Sequence, residues 1–479
     1  MDYLIKEPKV FDNNNDVVIR IKEIELKNFK NVEYGIIKLQ KDRFEDSVTC
    51  SDILGIYGQN GSGKSSLINA LEVLQMIMSG NACLNDFERF IISNENTSTL
   101  RFKFDLSYSD GKQRSVDYEF LLSNKPIKEI DGREDYVPNQ ILLKILNEKL
   151  SMSGLFYGKK HKNELIIDTS EENILPSETI QNDIYGERKD IFSLGLNKIR
   201  TNPNIDSRVS LIFNKQINQF FNSQSEFTQV INELVDFAQN RLIVIDSQQP
   251  NTLTYLQFFT KLGCFKLSTN DKTITEDKTY FCLKNDFASI NYLLNTIIPG
   301  LQIKIKDLLN EECKNNHMVE IYSVRNNREI PLCFESEGIK KIVSFIGSFI
   351  MAYYLDSFTL AIDELDAGIF EYLLGELLQT FEESGRGQLI FTSHNLRPLE
   401  VISKKFLYFT TTNPKNRYIK LKGIGNSTNL RNTYFRELIL CNQDEELYKR
   451  TKRYEMIDVL QKAGTIITNQ DKEGGKKDE

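Results

Sequence analysis

Two kinds of pattern alternate along this sequence, and together they predict an α/β fold. Residues 53–57 form a short apolar run typical of a buried strand, and residues 66–78 carry apolar side chains at helical spacing. Later, an apolar helix over residues 339–354 is followed by two more buried-strand runs, at 358–362 and 389–393. Because helices that alternate with buried strands are typical of parallel sheets, we expect a parallel sheet at the centre of the molecule.

A second pattern, in which apolar and polar residues alternate, predicts an antiparallel β region beside that core. Residues 100–108 and 114–122 alternate in this way and are separated by Ser-Asp-Gly-Lys, which favours a hairpin turn. Residues 17–26 and 35–39 flank Asn-Phe-Lys-Asn at 28–31 and predict an earlier hairpin, which leads into the first buried strand. Further short strand-like runs occupy residues 141–151, 155–158 and 164–168.

The middle of the chain is less regular. Residues 170–210 are polar and poorly patterned, whereas residues 227–238 repeat apolar side chains as an amphipathic helix and residues 242–245 form a short buried strand. A helix-rich insertion of this kind often forms a lid or a dimer surface. Alternatively, it only packs against the rest of the chain, and the sequence does not decide between the two. No heptad pattern persists for three repeats, so no long coiled-coil arm is expected. Helices are also predicted at 286–298 and 434–460, and a strand at 318–324.

These patterns divide the chain into four predicted parts. Residues 1–125 form the N-terminal lobe of the core, and residues 126–284 form an insertion of strands followed by helices. Residues 285–425 form the C-terminal lobe, and residues 426–479 a helical extension that ends in a frayed tail. A chain of 479 residues with 40% hydrophobic residues has ample material for this organisation.

Composition narrows the choice of partners. The formal net charge is −7, which argues against nucleic-acid binding through bulk charge, although a local basic patch would be hidden in the total. The seven cysteines are scattered, without a C-x-x-C pair, and are expected to be reduced thiols rather than zinc ligands. The N-terminus has no apolar signal-like core, and nowhere do about 18 apolar residues run together, so we expect a cytoplasmic protein without membrane contact.

Residues 58–65 read Gly-Gln-Asn-Gly-Ser-Gly-Lys-Ser and fill every position of the G-x-x-x-x-G-K-[ST] phosphate loop. The motif stands between a predicted strand and a predicted helix, which is the order that phosphate binding requires. Its glycines let consecutive N–H groups face the phosphates, while Lys64 reaches the β- and γ-phosphates and the Ser65 hydroxyl binds Mg²⁺. The sequence therefore predicts binding of ATP with Mg²⁺. The predicted binding loop comprises Gly58, Gln59, Asn60, Gly61, Ser62, Gly63, Lys64, Ser65 and Ser66.

A second set of candidate residues follows the later strands. The run at 358–362 ends in Asp363 and Glu364, which we predict to hold Mg²⁺ and to orient the attacking water, respectively. His394 follows another strand at the sheet end where α/β folds bind ligands, and is predicted to contact the γ-phosphate. An acidic pair also caps many buried strands, and a lone histidine is more often structural. The phosphate loop in the same chain favours a catalytic role for Lys64, Glu364 and His394.

Together these motifs resemble those of the ABC-type ATPase head shared by SMC and RecF-like proteins. The resemblance covers residues 17–125 and 285–425 and includes Leu-Asp-Ala-Gly at 365–368 and Thr-Ser-His-Asn at 392–395. Residues 335–341, Glu-Ser-Glu-Gly-Ile-Lys-Lys, are similar to the degenerate signature motif of AAA ATPases from bacterial anti-phage and abortive-infection systems. The resemblance implies a mixed sheet with an antiparallel β subdomain and a helix-rich insertion.

The resemblance also implies that two copies of the chain hold ATP between them, head to tail. Ser336 and Gly338, at the start of a helix, would contact the γ-phosphate of ATP bound to the other subunit, a role for which a helix N-terminus is suited. Asp366 would act across the same interface, and His394 within its own subunit. The partners expected on this basis are a second copy of the chain, a separate effector protein and a phage protein that acts as the trigger.

The sequence departs from the family pattern in places. The family's metal-binding glutamine has no counterpart, because Gln75 follows Lys64 too soon and Gln113 lies in a predicted hairpin, so that ligand is unassigned. The insertion at 126–284 is far too short for an SMC coiled-coil arm. Members of the overcoming-lysogenization-defect type carry a TOPRIM nuclease after the ATPase, whereas fewer than 90 residues follow His394. We therefore expect another chain to supply any damaging activity.

Three functions are compatible with these observations. The first is an ATP-hydrolysing sensor and scaffold of an anti-phage defence complex, which controls a separate nuclease or toxin through nucleotide-dependent oligomerisation. The second is a RecF/SMC-like DNA-repair ATPase that clamps DNA on ATP binding, although the charge does not indicate DNA. The third is a nucleotide-dependent binding module with negligible turnover. Glu364 argues against the third, because a pure switch does not need a carboxylate that orients water.

Overall fold

A mainly parallel sheet forms the centre of the molecule. The computed structural model describes residues 17–39, 52–81, 97–123, 144–170, 176–186, 209–214, 221–246, 255–260, 263–308, 316–422, 429–440, 443–449 and 452–474. The strands of the central sheet are β3 (Asp52–Tyr57), β8 (Leu242–Ile245), β15 (Thr359–Ile362), β16 (Gln388–Thr392), β17 (Leu407–Thr410) and β18 (Tyr418–Ile419). Their order is β18-β17-β3-β16-β15-β8, and only the pairing of β17 with β18 is antiparallel. The predicted α/β class with a parallel sheet is confirmed.

The strands at the middle of this sheet are apolar because they are covered on both faces. Every residue of β3, β8, β15 and β16 is buried. Parallel strands that are buried on both sides read as continuous apolar runs rather than alternating ones. This is why the sequence pattern identified them as short apolar runs.

An antiparallel sheet of six strands lies beside the central one. Its strands are β1 (Val17–Phe29), β2 (Val32–Lys38), β4 (Thr97–Tyr108), β5 (Gln113–Ser123), β6 (Lys144–Phe156) and β7 (Lys159–Asp168). They pair in the order β2-β1-β4-β5-β6-β7. Both predicted hairpins are present, but the separate strand predicted at 155–158 is wrong. Strand β6 continues without interruption to Phe156, and the residues after it form the turn into β7.

Two smaller β units complete the strands that the structure describes. The hairpin of β9 (Tyr255–Thr260) and β10 (Gly263–Ser268) is separate from a four-stranded sheet. That sheet consists of β11 (Thr273–Glu276), β12 (Gln302–Asp307), β13 (Asn316–Arg325) and β14 (Arg328–Pro331). Strand pairings cross the predicted domain boundaries, because β6 and β7 pair onward from β5, and β8 pairs with β15. Strands β6, β7 and β8, which lie within the predicted insertion at 126–284, are therefore members of the two large sheets.

The helices surround these sheets. In chain order they are α1 (Lys64–Met78), α2 (Glu178–Tyr185), α3 (Glu226–Asn240), α4 (Asp277–Ile297), α5 (Glu337–Tyr354), α6 (Glu371–Ser384), α7 (Pro398–Val401), α8 (Leu430–Leu440) and α9 (Arg453–Gly474). Helix α4 begins at Asp277 rather than at residue 286 as predicted. Its first turns carry the aromatic run at 280–281, in which Tyr280 stacks on His317 with ring centroids 4.2 Å apart. Because His317 is distant in the sequence, this contact leaves no periodic pattern from which the earlier helix start could be predicted.

The range with predicted helical patterning, residues 434–460, is helical at both ends but not in its middle. The structure has two helices, α8 and α9, and the described residues between them, 443–449, are not helical. This linking segment packs against the body of the protein, since Leu447 is buried and the N–H of Thr412 donates to the Glu446 carbonyl at 2.7 Å. Tertiary contacts therefore replace helical hydrogen bonds in this part of the chain.

The central sheet separates two hydrophobic cores. Leu54 and Ile56 of β3 point into a core shared with the antiparallel sheet, α1 and α3. Ile53 and Tyr57 of the same strand point into a second core, shared with α4, α5 and α6. Successive side chains of a strand face opposite sides of its sheet, so β3 contributes to both.

The antiparallel sheet is fixed to the central one by polar contacts at the start of β16. Gln388 accepts a hydrogen bond from the Ile21 N–H at 2.7 Å and donates its amide to the Ile21 carbonyl at 2.8 Å. Strand β2 pairs with β1 only from Glu23 onward, so Gln388 replaces the missing ladder partner of Ile21. Nearby, Arg20 and Asp52 form a buried ion pair at 2.6 Å. Side-chain contacts thus join β1 to the buried strands.

We expect Gln388→Ala to lower the free energy of unfolding by about 2–4 kcal/mol, because two buried backbone groups of Ile21 lose their partner. Urea denaturation followed by far-UV circular dichroism measures this change. Gln379→Ala is the matched control: Gln379 lies on the exposed face of α6, where its loss should cost no more than about 0.5 kcal/mol. Equal denaturation midpoints for the two variants would contradict the role of Gln388.

Candidate functional site

The phosphate loop connects β3 to α1 and is shaped by its glycines. Gly61 and Gly63 have φ angles of 74° and 94°, in the left-handed region that other residues rarely adopt. A Cβ atom on Gly58 would overlap the side chain of Thr410 on the neighbouring strand β17. The loop therefore curls at the end of β3 and brings successive N–H groups to one side, an arrangement that suits an anion.

Lys64 closes over this loop. Its ammonium donates to the carbonyls of Gly58 and Gln59 at 2.9 and 3.0 Å, and the residue is buried. The Ser62 hydroxyl donates to the Gln59 carbonyl at 2.5 Å, while Ser65 is half-buried at the first turn of α1. The predicted loop residues therefore lie together around one concave backbone turn.

The turn between β1 and β2 rests on this loop, and sequence reasoning did not assign it to the site. The amide of Asn31 donates to the Gly61 carbonyl, and its side-chain oxygen accepts from the Ser66 hydroxyl at 2.8 Å. Lys30 donates to the Asn69 side chain at 2.6 Å, and Asn69 in turn donates to a carboxylate at the end of β8. The only sequence signal for this contact was the position of Asn-Phe-Lys-Asn shortly before the loop.

The acidic pair follows β15, one strand away from the loop. Strand β16 lies between β3 and β15, so the ends of all three strands meet at the same edge of the sheet. The Thr392 hydroxyl, at the end of β16, donates to the Asp363 carboxylate at 2.5 Å and accepts from the Glu364 N–H at 2.7 Å. Asp363 is 1% exposed, and Glu364 has a left-handed φ of 47°. Thr392 thus holds both acidic residues, a role that its sequence position alone did not predict.

Charge is concentrated at this edge of the sheet. Burial lowers the pKa of the Lys64 ammonium, and the carboxylates of Asp363, Glu364 and Asp366 oppose that change. Burial likewise lowers the pKa of Lys30, which is opposed first by Asp246 and then by Asp363. The lysines and carboxylates therefore compensate one another's burial, although they come from distant parts of the chain.

His394 follows β16 beside these groups. Partial burial, and then the positive charge of Lys64, lower the pKa of the His394 imidazole, with the nearby carboxylates opposing the change. A lower pKa favours the neutral ring, in which one nitrogen donates and the other accepts a hydrogen bond. The backbone N–H groups of His394 and Asn395 donate to the Asp366 carboxylate at 3.2 and 2.9 Å. Asp366, which the resemblance assigns to a subunit interface, thus also binds the backbone of its own chain.

Ser336 and Gly338 lie at the start of α5. Ser336 is exposed and caps this helix, accepting from the Ile339 N–H at 3.4 Å. Gly338 contacts the loop after the acidic pair: a Cβ atom on Gly368 would lie 2.7 Å from the Gly338 Cα, and one on Gly338 would overlap the Gly368 carbonyl. The absence of a side chain at Gly338 therefore allows the helix start to pack on the loop at Gly368, and it would also allow a ligand to approach.

Neither glutamine considered for the family's metal ligand lies at this edge. Gln75 is on the last turns of α1, where its amide donates to the Leu242 carbonyl at the opposite end of β8, and Gln113 begins β5. Strand β8 itself ends at the site, where Asp246 follows it. Gln248 and Gln249 come two and three positions later in the sequence and lie outside the described residues.

The donor set fits a magnesium–nucleotide pair. Mg²⁺ in such sites is held by one or two side-chain oxygens together with phosphate oxygens and water. The Ser65 hydroxyl and the Asp363 carboxylate could supply those oxygens, and the curled glycine loop with Lys64 suits the phosphates. Among the described residues, no group of three histidine, cysteine or carboxylate side chains forms a separate metal site.

The parallel sheet, the phosphate loop and the acidic pair define the class of P-loop NTPases. Within that class, the chain belongs to the family described as "AAA domain, putative AbiEii toxin, Type IV TA system", which matches residues 53–400. Two DNA replication and repair proteins RecF, from Shewanella sp. and Shewanella putrefaciens, are 28% identical over 130 residues. That match covers 26% of this chain, and the chain spans only 34% of the length of these relatives.

Solved structures with distant similarity include the SMC head domain from Thermotoga maritima, with 13% identity and a TM-score of 0.35. That alignment covers 84% of this chain and 100% of the other. The recombination mediator protein RecF with ATP has 14% identity and a TM-score of 0.31, covering 79% of this chain and 94% of that one. In the part of the chain that the structure describes, no helix is both long and apolar enough to span a membrane.

We expect Lys64→Ala to weaken ATP binding at least about tenfold, because the ammonium over the loop is lost. Titration of a fluorescent ATP analogue in the presence of Mg²⁺ measures this change. Lys420→Ala is the matched control, since Lys420 also donates to a backbone carbonyl, that of Lys405 at 2.8 Å, away from the loop. Equal affinities of the Lys64 and Lys420 variants would contradict the assignment of the loop.

Proposed function

We propose that this chain is an ATP-hydrolysing ABC-type ATPase that acts as the sensor and scaffold subunit of an anti-phage defence complex. It controls a separate effector, a nuclease or toxin, through nucleotide-dependent oligomerisation. The observation that carries the proposal is the convergence of the phosphate loop, the acidic pair and His394 at one edge of the central sheet. The family description, with its reference to a toxin system, supports the defence role.

Each residue of this edge has a distinct task in the proposed reaction. Lys64 and the loop N–H groups bind the phosphates, and Ser65 and Asp363 would hold Mg²⁺, which would neutralise charge on the phosphates. Glu364 orients the attacking water, and its backbone is already fixed by Thr392. The imidazole of His394 donates a hydrogen bond to the γ-phosphate.

Assembly of two copies would complete the site. Ser336 and the exposed start of α5 would contact ATP bound to the second copy. Large aromatic side chains are exposed near this helix start and after the acidic loop, which is unusual for a surface that stays in water. Phe334 is 79% exposed and Phe370 is 69% exposed, and the ring of Phe370 lies 5.6 Å from that of Tyr372. These side chains support a protein interface on this side of the molecule.

Glu364→Gln tests the proposal directly. We expect hydrolysis to fall at least about a hundredfold with ATP affinity retained, because the water loses its orienting carboxylate while the phosphate loop is unchanged. Blocked hydrolysis should also trap the closed assembly. We therefore expect tagged Glu364→Gln protein, purified with ATP and Mg²⁺ from its own locus, to carry a second protein in stoichiometric amount.

Lys64→Ala, which cannot bind ATP tightly, is the control for that purification and should carry less of the second protein. Its cells should also lose protection in a phage plaque assay. Unchanged protection, or a trapped dimer that carries DNA and no second protein, would contradict the defence proposal. An undiminished rate in Glu364→Gln would contradict the catalytic assignment.

A second function, clamping of DNA, is favoured by one observation. Strand β7 begins, directly after the turn from β6, with Lys159, Lys160, His161 and Lys162, and the three lysines are exposed. The start of β7 is therefore a local basic patch on a protein whose net charge is −7. Lysines also protect edge strands such as β7 from pairing with other chains, so the patch has a structural explanation too. The RecF relatives, described as replication and repair proteins, support the DNA alternative.

If the start of β7 binds duplex phosphates, replacing its three lysines with glutamate should weaken DNA binding in the presence of ATP. The slope of log affinity against log salt should fall by about 2–3, because fewer counterions are released. Fluorescence anisotropy with a labelled duplex at several salt concentrations measures both. Lys272, Lys278 and Lys284, exposed elsewhere, provide a triple glutamate control of equal charge. Identical salt slopes for the two triple variants would show that the start of β7 does not bind DNA.

A further inference from the structure

A buried lysine on α5 contacts the backbone of the proposed catalytic glutamate. Lys341 is 4% exposed, and its ammonium donates to the Glu364 carbonyl. It lies one helical turn after Gly338, so it extends from the helix start toward the loop that follows β15. Nothing in the roles described above requires a lysine at this position.

Burying this ammonium has an energetic cost that the site must offset. A charged group removed from water is costly unless other charges or hydrogen bonds compensate it. Burial lowers the pKa of Lys341, and the carboxylates of Asp366, Glu364 and Asp363 oppose that change. The carbonyl that it binds belongs to the same acidic loop. The acidic residues of this loop thus stabilise the charged form of the buried lysine.

Glu364 has an unusual backbone that is held from both sides. Its φ of 47° is in the left-handed region, which is unfavourable for a residue with a side chain unless neighbouring contacts fix it. Its N–H donates to Thr392 at 2.7 Å, and its carbonyl accepts from the Ala367 N–H at 2.9 Å as well as from Lys341. Thr392 belongs to the sheet, whereas Lys341 belongs to α5. The direction of the Glu364 side chain therefore depends on both elements.

The start of α5 also rests directly on this loop. Gly338 and Gly368 approach so closely that neither has space for a Cβ atom. A shift of the helix start therefore cannot occur without moving the loop that carries Glu364, because close-packed backbone transmits such displacements. Lys341 and Gly338 are two contacts on the same side of the same helix.

We propose that Lys341 is a positioning residue, which sets the orientation of Glu364 according to the position of the α5 start. This inference rests on the proposed function, in which the α5 start contacts the nucleotide of a second copy. Contact by that nucleotide at Ser336 would bear on Glu364 of the same chain through Lys341 and Gly338. Hydrolysis in one site would then depend on whether its own chain is engaged with the neighbouring site.

The test is Lys341→Met, which keeps a long unbranched side chain but cannot donate a hydrogen bond. We expect kcat for ATP hydrolysis to fall at least about tenfold, while KM and the affinity for a fluorescent ATP analogue stay within about threefold. The thermal midpoint should fall by a few degrees, because the carboxylates of the acidic loop lose one of their buried cations, whereas the phosphate loop that binds ATP is unchanged. With ATP present, the variant should form the same trapped assembly as Glu364→Gln.

Lys341→Arg, which keeps a donor, should restore part of kcat. Lys420→Met is the matched control, since it removes the same kind of lysine–carbonyl bond away from the acidic loop, and its kcat should match that of the wild type. An unchanged kcat in Lys341→Met, or a fall in kcat that comes with an equal loss of ATP affinity, would overturn the positioning role. Absence of hydrolysis in the wild-type protein would instead refute the proposed function.

Discussion

The structure depends on the two ends of strand β16. At its start, the Gln388 side chain replaces the missing ladder partner of Ile21 and so binds the antiparallel sheet. At its end, the Thr392 hydroxyl binds Asp363 and the backbone of Glu364. This buried strand of five residues therefore connects the antiparallel sheet to the acidic loop. Because β16 lies between β3 and β15, it also sets the separation between the phosphate loop and that acidic loop.

The site holds buried lysines and carboxylates close together, and each charge is stabilised by its neighbours of opposite sign. Lys30, Lys64 and Lys341 come from a hairpin turn, the phosphate loop and α5, and burial lowers the pKa of each. In all three cases Asp363 opposes that change. Removing one partner of such a group leaves the others buried without compensation, which is more costly than the pair is favourable. The arrangement therefore favours one geometry, in which every cation stays near the carboxylates, and it is suited to a further anionic ligand with its metal ion.

The sequence predicted the parts of this protein that are encoded locally. The phosphate loop and the buried strands have short patterns that stand on their own, and so do the alternating strands β4 and β5. The contacts made by Thr392, Lys30 and Lys341 were not predictable, because each joins segments that are distant in the sequence and none has a periodicity. The break between α8 and α9 was missed for the same reason, since burial of Leu447 and the bond from Thr412 to Glu446 overrule the helical pattern.

Two residues that the resemblance assigns to a subunit interface also make contacts within their own chain. The Asp366 carboxylate binds the backbone N–H groups of His394 and Asn395, and Gly338 packs on Gly368. A change at either position would therefore disturb the acidic loop even in a single copy. Loss of activity in such a variant would not by itself locate an interface. Ser336 differs, because it is exposed and its only described side-chain contact is the cap of its own helix. It is therefore the residue at which contact with a second copy can be separated from the integrity of the loop.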